Sequence, residues 1–265
     1  MPRNLEDVLD FFLPGAEAVD AAPEVPLVAA RPGSRPVALP ILTLPVAGRD
    51  VVRAAFAWNL AVELARLGVR ASLVAPRDPG SAPLWPEAGV GPLGAEVHYA
   101  QAADASALGH AAVDAAIAGA AEASEGGIVL ACLPPAWLLR GGAVRPLLRW
   151  LLLLTTPETR DLQEAYALAK CAYRRAADPL VGLVVHGVQR MRDAERAFGR
   201  VAAVAARRLG HAPVSYGLLA DDLHVYRAIA ARRPIGLEHP QSLAARALRD
   251  VARMLHEDAQ KLTLA

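Results

Sequence analysis

Aromatic side chains are scarce: Phe, Trp and Tyr together make up 5% of the 265 residues. Ala, Leu and Val dominate an apolar content of 54%, a composition suited to helices packed on a parallel sheet. Cysteine is also nearly absent. Cys132 and Cys171 stand alone, neither in a C-x-x-C pair, so no zinc or disulfide framework is implied and both read as thiols in a reducing cytosol. There is no block of Lys or Arg, and the net charge is +1, which argues against a surface that tracks nucleic-acid phosphates. Long apolar runs are missing too. The longest, Trp150 to Leu154 preceded by Leu147 and Leu148, is too short to span a bilayer and reads as a buried strand. The first ten residues are acidic and amphipathic rather than a basic stretch before an apolar run, which disfavours a signal peptide. These absences lead us to expect a cytoplasmic protein with no stable membrane anchor and no nucleic-acid partner.

What is present alternates between two periods. Residues 5–13 carry Leu5, Val8, Leu9 and Phe12 at helical spacing, with Asn4 as N-cap and Pro14-Gly15 as the stop. Residues 16–36, rich in Pro, Ala, Glu and Gly, read as a linker. The expected organisation is therefore an N-terminal helix and flexible linker over 1–36, followed by one domain over 37–265. Strands are expected at 37–44, 71–75, 96–99, 128–133, 151–155, 180–185 and 214–218. Helices are expected at 49–67, closed by Gly68, and at 104–123, 158–176, 190–209, 222–232 and from 241 onward, with 76–94 as a proline-rich loop. Strands alternating with helices of ten to twenty residues predict an α/β fold: right-handed crossovers, a mostly parallel sheet with helices on both faces, and ligands beyond the strand C-terminal ends.

Three stretches carry a more specific likeness. Residues 152–170, LLLTTPETRDLQEAYALAK, follow a pattern strand-T-x-P-E-x-x-S-x-x-D-A-Y-x-x-x-K. Residues 183–188 lead into a long helix. Residues 216–255 follow G-x-I-P-x-D, a helix, R-x-P, then P-x-S-x-A and a closing helix. In the first half, Asn59-Leu60-Ala61 through Gly68 matches N-L-A-x-x-L-A-x-x-G. In order and spacing, residues 37–257 resemble the MinD/ParA family of deviant P-loop ATPases, in particular its flagellar-number branch (FlhG-like). The resemblance implies a P-loop NTPase-like doubly wound sheet.

The same resemblance exposes what is lost. A phosphate-binding loop needs glycines, a Lys for the β- and γ-phosphate oxygens and a hydroxyl on Mg²⁺. Aligned without gaps, K-G-G-V-G-K-T-T falls on Gly48-Arg49-Asp50-Val51-Val52-Arg53-Ala54-Ala55. Val52 replaces the last loop glycine, Asp50 puts a carboxylate near the polyphosphate, Arg53 takes the Lys position and Ala54 replaces the hydroxyl. Cys132 falls on the Walker-B-like Asp and His186 on the Asn that reads adenine. Without these ligands a magnesium ion has no protein partners, so ATP and Mg²⁺ are disfavoured and no resident cofactor is expected.

The expectation is a degenerate, non-catalytic pseudo-ATPase. It would be a scaffold or regulator in a spatial-organisation system (flagellar, polar, division or secretion placement). Its partner would be a protein: a second copy, as in the dimers of the resembled family, or an active MinD/FlhG-like ATPase. The alternative is a sensor of an anionic small molecule or nucleotide gripped by Arg49 and Arg53, or a weak ATPase. Against that, Arg49 and Arg53 read as a solvated first helical turn, with Asp50 favourable to the helix dipole. His186, Asp221, Asp222 and His224 fall on one rim of the sheet but lack metal-ligand spacing, so structural roles are favoured, with Asp221 or Asp222 as a helix cap. The Leu5–Phe12 stripe either recruits a partner or folds back on its own domain. The D-Q-A motif that FlhG-like proteins carry in their N-terminal segment is absent, so their GTPase-activating role is not implied.

Overall fold

The computed structural model describes residues 38–46, 51–77, 86–123, 126–143 and 145–264. The expected N-terminal helix with Leu5, Val8, Leu9 and Phe12 lies outside these residues, as do Gly48, Arg49 and Asp50. The strands are β1 (Ile41–Pro45), β2 (Arg70–Pro76), β3 (Gly89–Val90), β4 (Glu96–Ala100), β5 (Gly127–Leu133), β6 (Trp150–Thr155), β7 (Leu180–Val188) and β8 (Val214–Ala220). They form one sheet in the order β3-β4-β2-β5-β1-β6-β7-β8. Every pairing is parallel except that of β3 with β4.

The helices follow as α1 (Val51–Arg66), α2 (Ala105–Glu122), α3 (Pro135–Arg140), α4 (Arg145–Arg149), α5 (Thr159–Arg175), α6 (Met191–Leu209), α7 (Leu223–Ala231), α8 (Ile235–Glu238) and α9 (Leu243–Leu264). Strand alternation sorts the core into two layers. Leu42, Leu44, Leu73, Leu130 and Leu152 face α1 and α9. Val129, Ala131, Leu151, Leu153 and Leu183 face α2, α4, α5 and α6. The central strands are buried on both faces, which is why they read as unbroken apolar runs rather than as an alternation.

Departures from the sequence reading are local. The first strand begins at Ile41 rather than residue 37. The proline-rich stretch is not all loop. It contains the short antiparallel strand β3 and a single 3₁₀ turn at Pro92–Gly94. Leu147 and Leu148 belong to α4 instead of extending β6, and α3 and α8 were too short for a periodicity to reveal.

Two glycines mark where elements meet at backbone distance. A Cβ at Gly182 in β7 would lie 2.3 Å from Cε2 of Tyr216 in β8, so the ring fills that space. The Tyr216 hydroxyl donates to Asp258 of α9, and Lys261 holds the same carboxylate at 2.7 Å, fastening the last helix to the sheet. A Cβ at Gly236 would fall 1.7 Å from Oε1 of Glu63. Glu63 is 1% exposed and pairs with Arg66 at 3.1 Å and Arg249 at 3.6 Å. Arg66 also donates to the Gly236 carbonyl at 3.0 Å, so α1, α8 and α9 share one buried charge cluster.

Candidate functional site at the strand C-terminal ends

The crossovers place β1 between β5 and β6, and the chain leaves β1 in one direction and β6 in the other. That reversal makes the crevice beyond the C-terminal ends of these strands the place where a doubly wound sheet takes its ligand. Four of the residues singled out from sequence can be placed there.

Arg53 sits in the first turn of α1 and is 7% exposed, which corrects its reading as part of a solvated turn. A guanidinium at a helix N-terminus opposes the helix dipole and, once buried, requires carboxylates. The first turns of α5 supply them: Nη1 of Arg53 donates to Oε2 of Glu164 at 2.6 Å, and Nη2 lies 3.8 Å from Oδ1 of Asp161. Asp161 is itself oriented by the Thr156 hydroxyl, which donates to it at 2.6 Å and accepts from the Glu158 amide at 3.2 Å. Thr156, Asp161 and Glu164 all lie in the 152–170 motif, and Glu164 occupies its Asp position. Arg53 is thus tied to a neighbouring helix across the top of the sheet. Ala54, next along, is 5% exposed and carries no hydroxyl.

Cys132, near the end of β5, is 2% exposed and paired in register with Leu44. Burial pushes its thiol well above the ordinary cysteine range, so Cys132 is an uncharged group. His186, at the end of β7, lines a cavity of about 60 Å³ with Val52, Phe56, Leu154, Leu219 and Asp222. Cavities that hold cofactor-sized ligands run to about 300–1,000 Å³. The cavity beside His186 is therefore too small for such a ligand.

Of the proposed rim, His186, Asp221 and Asp222 border this small cavity, while the ring of His224 turns to Asp222 and His239. Among the described residues no group of three or more His, Cys, Asp or Glu is arranged to hold a metal. Asp222 is the helix cap. Its Oδ1 accepts from the His224 amide at 2.9 Å and lies 2.8 Å from Nδ1 of that ring, while its Oδ2 accepts from the Ala244 amide at 3.3 Å. Burial alone would raise its pKa, but the bonds from His224 and Ala244 outweigh burial and hold the carboxyl below its usual value. Sequence reasoning missed Asp161 and Glu164 as partners of Arg53. The available signal was a first-turn arginine on a helix whose buried face it shares, together with two carboxylates spaced i,i+3 at the start of another helix.

The architecture defined here is a P-loop NTPase-like parallel sheet with its ligand crevice at β1, β5 and β6. Within that class the chain has the fold of the MinD and ParA ATPases. It is similar to MinD from Pyrococcus horikoshii, solved with Mg-ADP, at 14% identity and a TM-score of 0.56 over 83% of this chain and 96% of that one. It is also similar to a ParA family ATPase from Chlorobium tepidum, at 14% identity and a TM-score of 0.53 over 82% and 99%. MinD from Aquifex aeolicus in its complex with MinC is similar at 16% identity and a TM-score of 0.55 over 82% and 96%. No protein-family model matches the sequence, and no curated protein matches it significantly. No helix among the described residues is long and apolar enough to cross a membrane.

Proposed function

We propose that this chain is a non-catalytic protein on the MinD/ParA scaffold, acting through contacts with other proteins rather than through ATP turnover. It would scaffold or regulate a system that positions structures in the cell. The observation that carries the reading is the Arg53–Glu164 pair. A cation at the phosphate-lysine position keeps a catalytic role only if its charge is free to meet a polyphosphate. Here the charge is already met by Glu164 and Asp161, and extracting it would leave two carboxylates facing any incoming anion. Ala54 and Cys132 add no ligand for a magnesium ion. The Aquifex MinD was solved with the protein MinC, and contact with a protein is the property we carry over from it.

Thermal unfolding of the full chain tests this reading. A ligand present at a hundred times its Kd stabilises a protein by about 2.7 kcal/mol, which for a domain of this size raises Tm by about 5–10 °C. We expect no such rise with millimolar MgATP, MgADP or a panel of phosphorylated metabolites. A rise of that size with MgATP contradicts the proposal. A rise with a non-nucleotide metabolite alone points to an anion sensor instead.

A further inference from the structure

A cleft of about 360 Å³ opens beside the small cavity, between α1, residues 86–92 and the end of α7. Its walls are largely apolar, with Val51, Ala55, Trp58 and Ile229 among them; Asn59 and Glu87 also line it, and two cations, Arg232 and Arg233, outnumber that one carboxylate. Val90, on the same wall, is 77% exposed, as no residue of a finished core would be. Ala54 lines this wall too, whereas Arg53, Cys132 and His186 take no part in it.

We infer that the cleft is the intramolecular dock for this chain's own N-terminal segment, residues 5–12, and that docking withholds the cleft from other proteins. Residues 5–12 lie outside the described structure, and the case rests on their chemistry, their tether and the cleft. Leu5, Val8, Leu9 and Phe12 follow the i, i+3, i+4, i+7 anchor spacing of a helix laid in a groove. On a helix they span about 10 Å, a length a cleft of this size receives. The polar side of the segment carries Glu6, Asp7 and Asp10, opposite in sign to Arg232 and Arg233. Arg233 is only lightly committed, to an exposed pairing with Glu238 at 3.1 Å. The described chain begins at Ala38, just before β1. Residues 14–37 separate the segment from β1, and a chain of that length reaches about 25–30 Å when it behaves as a coil. Climbing from the start of β1 to its end takes about 17 Å. Such a tether holds the segment at roughly millimolar local concentration, so even weak docking is well populated until a competitor of similar shape arrives.

Photo-crosslinking of the full chain with Phe12→benzoylphenylalanine tests this, read by peptide mass spectrometry on a mixture of light and isotopically heavy protein. We expect light–light and heavy–heavy links from position 12 to residues 51–58, 86–92 or 228–234. Arg232→Glu with Arg233→Glu should lower their yield by about tenfold or more, since like charges then face each other. Adding Glu6→Arg and Asp10→Arg to that variant should restore it. Mixed light–heavy links would make a second copy the occupant and overturn the inference. Links elsewhere on the domain, or none, would overturn it as well. This test is independent of nucleotide binding.

Discussion

On the proposed reading, the guanidinium of Arg53 stands where the resembled ATPases keep a phosphate-binding lysine, and the difference between the two side chains decides what the position can do. Lysine offers a mobile point charge, whereas arginine offers a planar fork suited to carboxylates. A charged hydrogen bond of this kind contributes about 1.5–3 kcal/mol. We expect a double-mutant cycle of Arg53→Met and Glu164→Gln, followed by urea unfolding, to return a coupling in that range. A coupling below about 0.5 kcal/mol would mean the pair is incidental. Close approach makes a second residue-scale prediction. Gly236→Ala and Gly182→Ala should each destabilise by about 1–3 kcal/mol through overpacking, against Glu63 and Tyr216 respectively. Wild-type midpoints in urea for both would contradict this packing. Arg53 was found from sequence, but its solvated reading was wrong because nothing in a local window reveals a partner 111 positions away.

Among the elements, the join of α7 to α9 depends on Asp222, whose two oxygens cap the first turns of both helices. Its carboxyl is held below the ordinary aspartate value, so the folded state favours the ionised form. A group whose folded pKa is depressed contributes stability that is fully present above the unfolded value and lost as pH falls through the folded one. Asp222→Asn should therefore cost stability at neutral pH, about 1 kcal/mol as for other lost caps, and the cost should shrink as pH drops below about 4. Urea midpoints of the two proteins from neutral pH down into this range read the effect, and a constant difference would exclude Asp222 as the titrating cap. The cap was legible in the sequence as one of two adjacent aspartates before a helical stripe. The short elements α3, α4 and α8 were not, since four to six residues give no period to detect.

For the whole molecule, a mostly parallel sheet with helices on both faces was readable because apolar strands alternate with long helices, whereas the strand order and the antiparallel edge strand β3 came only from the structure. The candidate site was readable only as a set of departures from a pattern: Ala54, Cys132 and His186 each stood where another side chain was needed. What stands there instead, a partly buried ion pair and a cavity of about 60 Å³, required the tertiary arrangement. The fold is thus kept while Arg53 is engaged by carboxylates of α5, the arrangement on which the proposed non-catalytic role rests. Isothermal titration calorimetry of the full chain with MgATP tests that account most directly. We predict no saturable heat up to millimolar nucleotide; a micromolar isotherm that Arg53→Ala abolishes would contradict it.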